Sequence, residues 1–157
     1  SWSKTFAIPG ERIGYLALSP RLPEAAAAFN ACAFSNRVLG FVNAPALWQR
    51  VVAESLDCRT DISSYQRRRD KMRDGLTRLG YQVRNPEGTF YLFPKSPLAD
   101  DVAFIRVLLD EGVLAVPGSG FGRRGHFRLS LTVPDTTIER SLAAFERALA
   151  RAKAQKS

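Results

Sequence analysis

Ile62, Tyr65, Arg69, Met72, Leu76 and Leu79 recur at spacings of three and four. This is the one-face stripe of an amphipathic helix, and it predicts a helix over 62–79 that Gly80 closes. Ile138, Leu142, Phe145 and Leu149 repeat the pattern and predict a second long helix over 135–153. Thr136 and Glu139 there have the spacing of a capping box. Asp100 or Asp101 is expected to cap a shorter helix ending near Asp110, with Val102, Ile105, Leu108 and Leu109 as its buried side. Between these helices the period shifts to two. Residues 126–133 alternate, with Phe127, Leu129 and Leu131 on one face and His126, Arg128 and Ser130 on the other. Shorter strands are expected at 81–84, 89–93 and 113–116, with Pro86-Glu87-Gly88 as a turn.

The first third of the chain is less regular. Residues 13–18 form a short apolar run bounded by Gly10 and Pro20 and read as a buried strand. Residues 24–33 are alanine-rich and read as helix, whereas 35–42 fit neither period. Asn43 is placed to cap a helix reaching about Leu56, with Pro45 in its first turn and Leu47, Val51 and Val52 facing a core. Trp48 is large enough to anchor a subunit interface, and ordinary packing is favoured over that role.

Composition adds limits. The 157 residues are 45% hydrophobic and 24% charged, a globular balance that one ordinary domain could hold. No apolar stretch reaches bilayer length, and a cytoplasmic location is the default expectation. Cys32 and Cys58 are too few for a disulfide scaffold and lack zinc-site spacing, so buried free thiols and no metal are expected. The net charge of +8 would suit an anionic partner. Its excess lies in Arg67, Arg68, Arg69, Lys71 and Arg73 and in a tail with Arg151, Lys153 and Lys156. These runs carry no interleaved aromatics, so solvated helix faces are favoured over nucleic acid.

The chemistry concentrates near Ser1. Ser1, Ser3 and Lys4 supply two hydroxyls and an amine, and Arg12 follows a Pro-Gly break. An amine that condenses with an aldehyde must first lose its proton, which a nearby cation favours, and a phosphate suits an arginine with hydroxyls. Together they suggest a phosphorylated aldehyde. Arg128 is the second candidate. An arginine midway along a half-buried strand needs an anion, either a neighbouring carboxylate or a ligand. The glycines of 117–122 match neither nucleotide-loop fingerprint and read as a tight connection. His126, the single histidine, is given a structural or rim role.

The order Ser1-x-Ser3-Lys4, a short loop, then Gly10-x-Arg12-Ile13-Gly14-Tyr15 resembles the active-site lysine segment of class I and II pyridoxal-phosphate aminotransferases, the fold-type I enzymes. Gly88-Thr89-Phe90-Tyr91, Pro117-Gly118-Ser119-x-Phe121-Gly122 and Phe127-Arg128-Leu129-Ser130 resemble later phrases of that family, and 65–70 resembles its long helix between two domains. The resemblance implies an α/β fold. Residues 1–61 would be the trailing strand and helices of a large cofactor-binding domain. Residues 62–157 would be a linker helix and a small C-terminal α/β domain whose sheet is covered by helices. It implies pyridoxal 5'-phosphate as cofactor, Lys4 as the catalytic amine bonded to it, and Ser1, Ser3 and Arg12 on its phosphate. Arg128 would grip the substrate carboxylate, and the partners would be an amino acid, a 2-oxo acid and, for the whole protein, a second subunit. The chain opens inside the motif and Met72 is its lone methionine, so a piece of a longer polypeptide is expected, inactive by itself. Two alternatives use the same residues: an effector-sensing domain of a transcription regulator, and a lyase or decarboxylase.

Overall fold

The computed structural model describes residues 1–155, so Lys156, counted above in the basic tail, lies outside the described residues. The chain divides into two compact units, Ser1–Thr60 and Asp61–Ser157.

The first unit contains α1 (Trp2–Thr5), α2 (Ala25–Val38) and α3 (Ala46–Glu54), with a 3-10 turn at Pro9–Glu11. The strand expected at 13–18 is not formed. Ile13 is buried, but Tyr15 and Leu16 are 72% and 69% exposed. An extended apolar run becomes a strand only when a neighbour takes its backbone groups, and no described residue pairs with this one as a ladder. The helix expected at 24–33 runs further, because 35–38 continue α2, yet α2 buries none of its residues. Asn43 does not cap α3: Pro45 holds that position without a side-chain bond. Of the three residues expected to face a core there, Val52 is buried, whereas Leu47 is 68% exposed and Val51 is partly so. Both cysteines are exposed, contrary to expectation.

The second unit holds the hydrophobic core. α4 (Ile62–Leu79) has the bounds read from its stripe. Asp61 caps it by accepting from the Ser63 N–H at 3.0 Å, and Gly80 ends it at φ 100°. Met72 and Leu76 are buried, and Gly75 lets α4 approach Leu142 of α6 (Asp135–Ala154). α6 buries Ile138, Phe145, Ala148, Leu149 and Ala152 along the expected stripe. The proposed capping box is absent, since Pro134 is the N-cap and Glu139 instead pairs with Lys71 of α4. Arg68 pairs with Asp135 at 2.5 Å, so the basic cluster of α4 is largely spent on ion pairs. At the far side Glu111 takes Arg147 at 2.6 Å and Arg151 at 2.9 Å, which together hold its carboxyl below the usual range.

The sheet is small and antiparallel. β3 (Phe127–Ser130) lies in the centre, with β1 (Tyr91–Leu92) on one edge and β2 (Val116–Pro117) on the other. Residues 81–84 form no strand, although the Lys95 N–H donates to the Gln82 carbonyl at 2.9 Å. The strands near 91 and 116 are shorter than expected. α5 (Asp101–Asp110) buries Phe104, Val107 and Leu108, whereas Val102 and Leu109 are 42% and 56% exposed. The buried side is thus turned relative to the stripe read from sequence. Tyr81 joins the layers: its ring lies 5.9 to 6.2 Å from those of Phe104, Phe127 and Phe145, and its hydroxyl donates to the Phe145 carbonyl at 2.9 Å.

Candidate active site

In the first unit the loop from Ser1 to Ile13 closes on itself. The Trp2 N–H donates to the Ile13 carbonyl at 3.2 Å, and the Trp2 and Tyr15 rings meet at 5.2 Å. Gly14 lies so close that a Cβ there would come within 3.1 Å of the Ser1 Cα, so that position admits no side chain without displacing Ser1. The Ser1 hydroxyl accepts from the Ser3 N–H at 3.3 Å and donates to the Ser3 hydroxyl at 3.0 Å. Lys4 follows in the same turn and is exposed.

Arg12 directly precedes Ile13, and its backbone is left-handed, at φ 51° and ψ 48°. An arginine in that region is held at a cost of about 1–3 kcal/mol, which such sites commonly carry. One guanidinium nitrogen, Nη1, donates to the Pro9 carbonyl at 2.9 Å, and its other N–H groups have no hydrogen bond among the described residues. Four of the five predicted site residues therefore lie on two segments that the Trp2–Ile13 backbone bond ties together. The donor set is two neighbouring hydroxyls, a guanidinium with N–H groups to spare and an exposed amine, which fits a phosphorylated aldehyde.

Arg128 belongs to the second unit. It sits midway along β3 between the buried Phe127 and Leu129, itself half-buried. No carboxylate lies within ion-pair distance and no hydrogen bond reaches its side chain among the described residues. Two rings hold it instead: its Cζ lies 4.4 Å from the centroid of Tyr91 and 4.2 Å from that of Phe121. Neither ring was given a role from sequence, although both stand in phrases noted above. The missing signal is three-dimensional, since Tyr91 comes from β1 and Phe121 from the 3-10 turn Gly118–Phe121 beyond β2. The turn is tied down by Asp101, whose carboxylate accepts from the Ser119 N–H at 2.7 Å and is held below its usual pKa by that bond. His126 stacks on Phe93 at 5.6 Å and bonds through Nδ1 to the Arg124 carbonyl, a structural placement.

Other chemistry is sparse. No group of three or more His, Cys, Asp or Glu could hold a metal among the described residues, and no helix there is long and apolar enough to cross a membrane. A hollow of about 270 Å³ between Tyr81, Lys95, Ser96 and Lys153 contains none of the predicted site residues.

Comparison with known proteins bears on this arrangement as a whole. The model of the family described as aminotransferase class I and II matches residues 1–145. The aspartate/prephenate aminotransferase of Thermus thermophilus is 33% identical over 154 residues, which cover 96% of this chain and 40% of that protein. An LL-diaminopimelate aminotransferase of Dehalococcoides mccartyi is 33% identical over 91% of this chain and 37% of its own length. Among solved structures, an amino transferase from Eubacterium rectale superposes with a TM-score of 0.84 at 37% identity, covering 96% of this chain and 38% of that one. The chain thus spans about 40% of the length of the curated relatives it matches. With the family model extending from the Ser1–Lys4 turn to the middle of α6, and the fold agreeing over nearly the same length, this chain belongs to the class I and II aminotransferases.

Proposed function

We propose that this chain carries the lysine-bearing and carboxylate-gripping part of a pyridoxal-phosphate aminotransferase, which moves an amino group between an amino acid and a 2-oxo acid. Residues 1–61 are read as the trailing part of the cofactor-binding domain and 62–157 as the small C-terminal domain. The observation that carries the proposal is the loop closure that sets Ser1, Ser3 and Lys4 beside the segment bearing Arg12. The relatives' names cover several amino donors, so the substrate is proposed at the level of its class.

Ser1, Ser3 and Arg12 would hold the cofactor phosphate through hydroxyls and a guanidinium fork. When bound, pyridoxal phosphate supplies an aldehyde to an amine and a ring that draws electron density from the substrate's α-carbon. Lys4 Nζ would be the amine that meets the cofactor's aldehyde and would move a proton at the substrate's α-carbon, the part of a general base and acid. Arg128 would bind the substrate carboxylate and so fix how the bonds of the α-carbon are oriented, a positioning contribution. In the whole protein a second subunit is proposed to complete the site, and these 157 residues by themselves are proposed to be inactive.

The test is chemical. The protein expressed from its complete reading frame should, after pyridoxal phosphate and borohydride, carry the pyridoxyl label on Lys4, and Lys4→Ala should lose it. A label on any other side chain would overturn the assignment. Transfer of nitrogen to an added 2-oxo acid separates a transaminase from a lyase, a decarboxylase or a sensor.

A further inference from the structure

Arg128 is flanked from both sides of its strand. Tyr91 faces Ser130 across β1 and β3, and Arg128 is two residues from Ser130, so Tyr91 is its diagonal neighbour on the same face of the sheet. Phe121 arrives from the opposite side, beyond β2, whose Val116 pairs with Arg128. With the cation over both rings at 4.4 and 4.2 Å, aromatic surface occupies the places where water would otherwise cover the guanidinium. A guanidinium tolerates this because it is weakly hydrated and stacks on ring faces. Its N–H edge remains for hydrogen bonding, and no described carboxylate takes it.

We infer that Phe121 and Tyr91 are positioning residues that clamp the Arg128 guanidinium and present its N–H edge to a planar carboxylate ligand. The inference rests on the reading of Arg128 as the carboxylate grip. Phe121 is itself supported: Phe93 meets it edge-on at 6.3 Å, the Gly118 N–H donates to the His126 carbonyl at 2.8 Å, and Asp101 fixes Ser119. The clamp thereby joins α5, β1, β2 and β3 to one side chain. A guanidinium already oriented loses less freedom when a bidentate carboxylate binds, so the rings contribute affinity without touching the ligand.

The test titrates the 157-residue chain with succinate while following the arginine Nε–H signals by NMR, the Arg128 signal being identified by its loss in Arg128→Lys. The unmodified chain should show a saturable shift at Arg128. Phe121→Leu and Tyr91→Leu should each weaken it about fivefold, whereas Tyr91→Phe, which keeps the ring, should stay within about twofold. Without succinate, the Arg128 side-chain protons should be shifted upfield by the rings and should move toward ordinary positions in either leucine variant. Succinate affinity unchanged in both leucine variants but abolished by Arg128→Lys would overturn the clamp and leave the carboxylate reading standing. A titration with no saturable shift at Arg128, or one that persists elsewhere in Arg128→Lys, would overturn both. Should Phe121→Leu fail to fold, the comparison of Tyr91→Leu with Tyr91→Phe decides alone.

Discussion

Gly118 has room for a hydrogen and little more. A Cβ there would meet the backbone carbonyl oxygens of Arg123 and His126, the latter at 2.7 Å, and neither can yield without moving the strand. Gly118→Ala should cost about 2–3 kcal/mol, as overpacking against rigid neighbours does, read as a lower urea midpoint. Gly75→Ala is the contrast. Its Cβ would meet the Leu142 methyls, which can turn aside, and about 1 kcal/mol of helix propensity is regained, so the net change should be near zero. Tyr81 gives a pH prediction. Burial raises its phenol pKa well above the ordinary value near 10, so above that pH the unfolded chain binds fewer protons than the native one. The contribution of this phenol to stability should be level below about pH 10 and fall beyond it. Tyr81→Phe should abolish that fall while costing about 1 kcal/mol at neutral pH through loss of the Phe145 bond. Lys4, Arg12 and Arg128 stand out in the sequence because a local phrase marks each; Tyr91 and Phe121 do not, because strand pairing brings them to Arg128.

Elements were legible where one periodic face met one core. α4 and α6 have bounds within a residue of those read from their stripes, because each presents a single apolar face to the other. α5 departs from its stripe. Leu108 and Leu109 are equally apolar, and only the packing of α5 against α6 and the sheet decides that Phe104, Val107 and Leu108 turn inward. Its start was read correctly: Asp100 accepts from the Val102 and Ala103 N–H groups at 2.9 and 3.0 Å. Asp100→Ala should therefore cost about 1 kcal/mol, measured as a drop in thermal midpoint with the fold otherwise intact. The strand at 13–18 and the capping of α3 by Asn43 failed for a different reason. Sequence pattern can mark an apolar run or a polar cap, but not whether a partner stands opposite.

At the scale of the molecule, the two units differ in how much they bury. In Asp61–Ser157 one cluster runs from Met72 through Phe104, Phe127 and Phe145 to Ala152. In Ser1–Thr60 the buried apolar residues are Ile13 and Val52, while Phe29, Phe34, Leu39 and Phe41 are each more than 60% exposed. Opening free energy follows buried apolar contact, so the first unit should open far more readily than the second. Limited proteolysis of the chain should leave a resistant piece beginning near Asp61, and amides of α2 should exchange long before those of α4 and α6. Equal protection of α2 would contradict this.

The central place of β3 has a consequence for the order of assembly. Both edge strands are made first, yet each finds its partner only in the strand synthesised last. On the ribosome, β1 and β2 must therefore wait until 127–130 emerge and give them a common template, and α5 waits longer still for α6, the element it packs against most. Such long-range pairing slows folding and lengthens exposure to aggregation, so a pause or truncation before Phe127 should release a sticky chain rather than a smaller stable one.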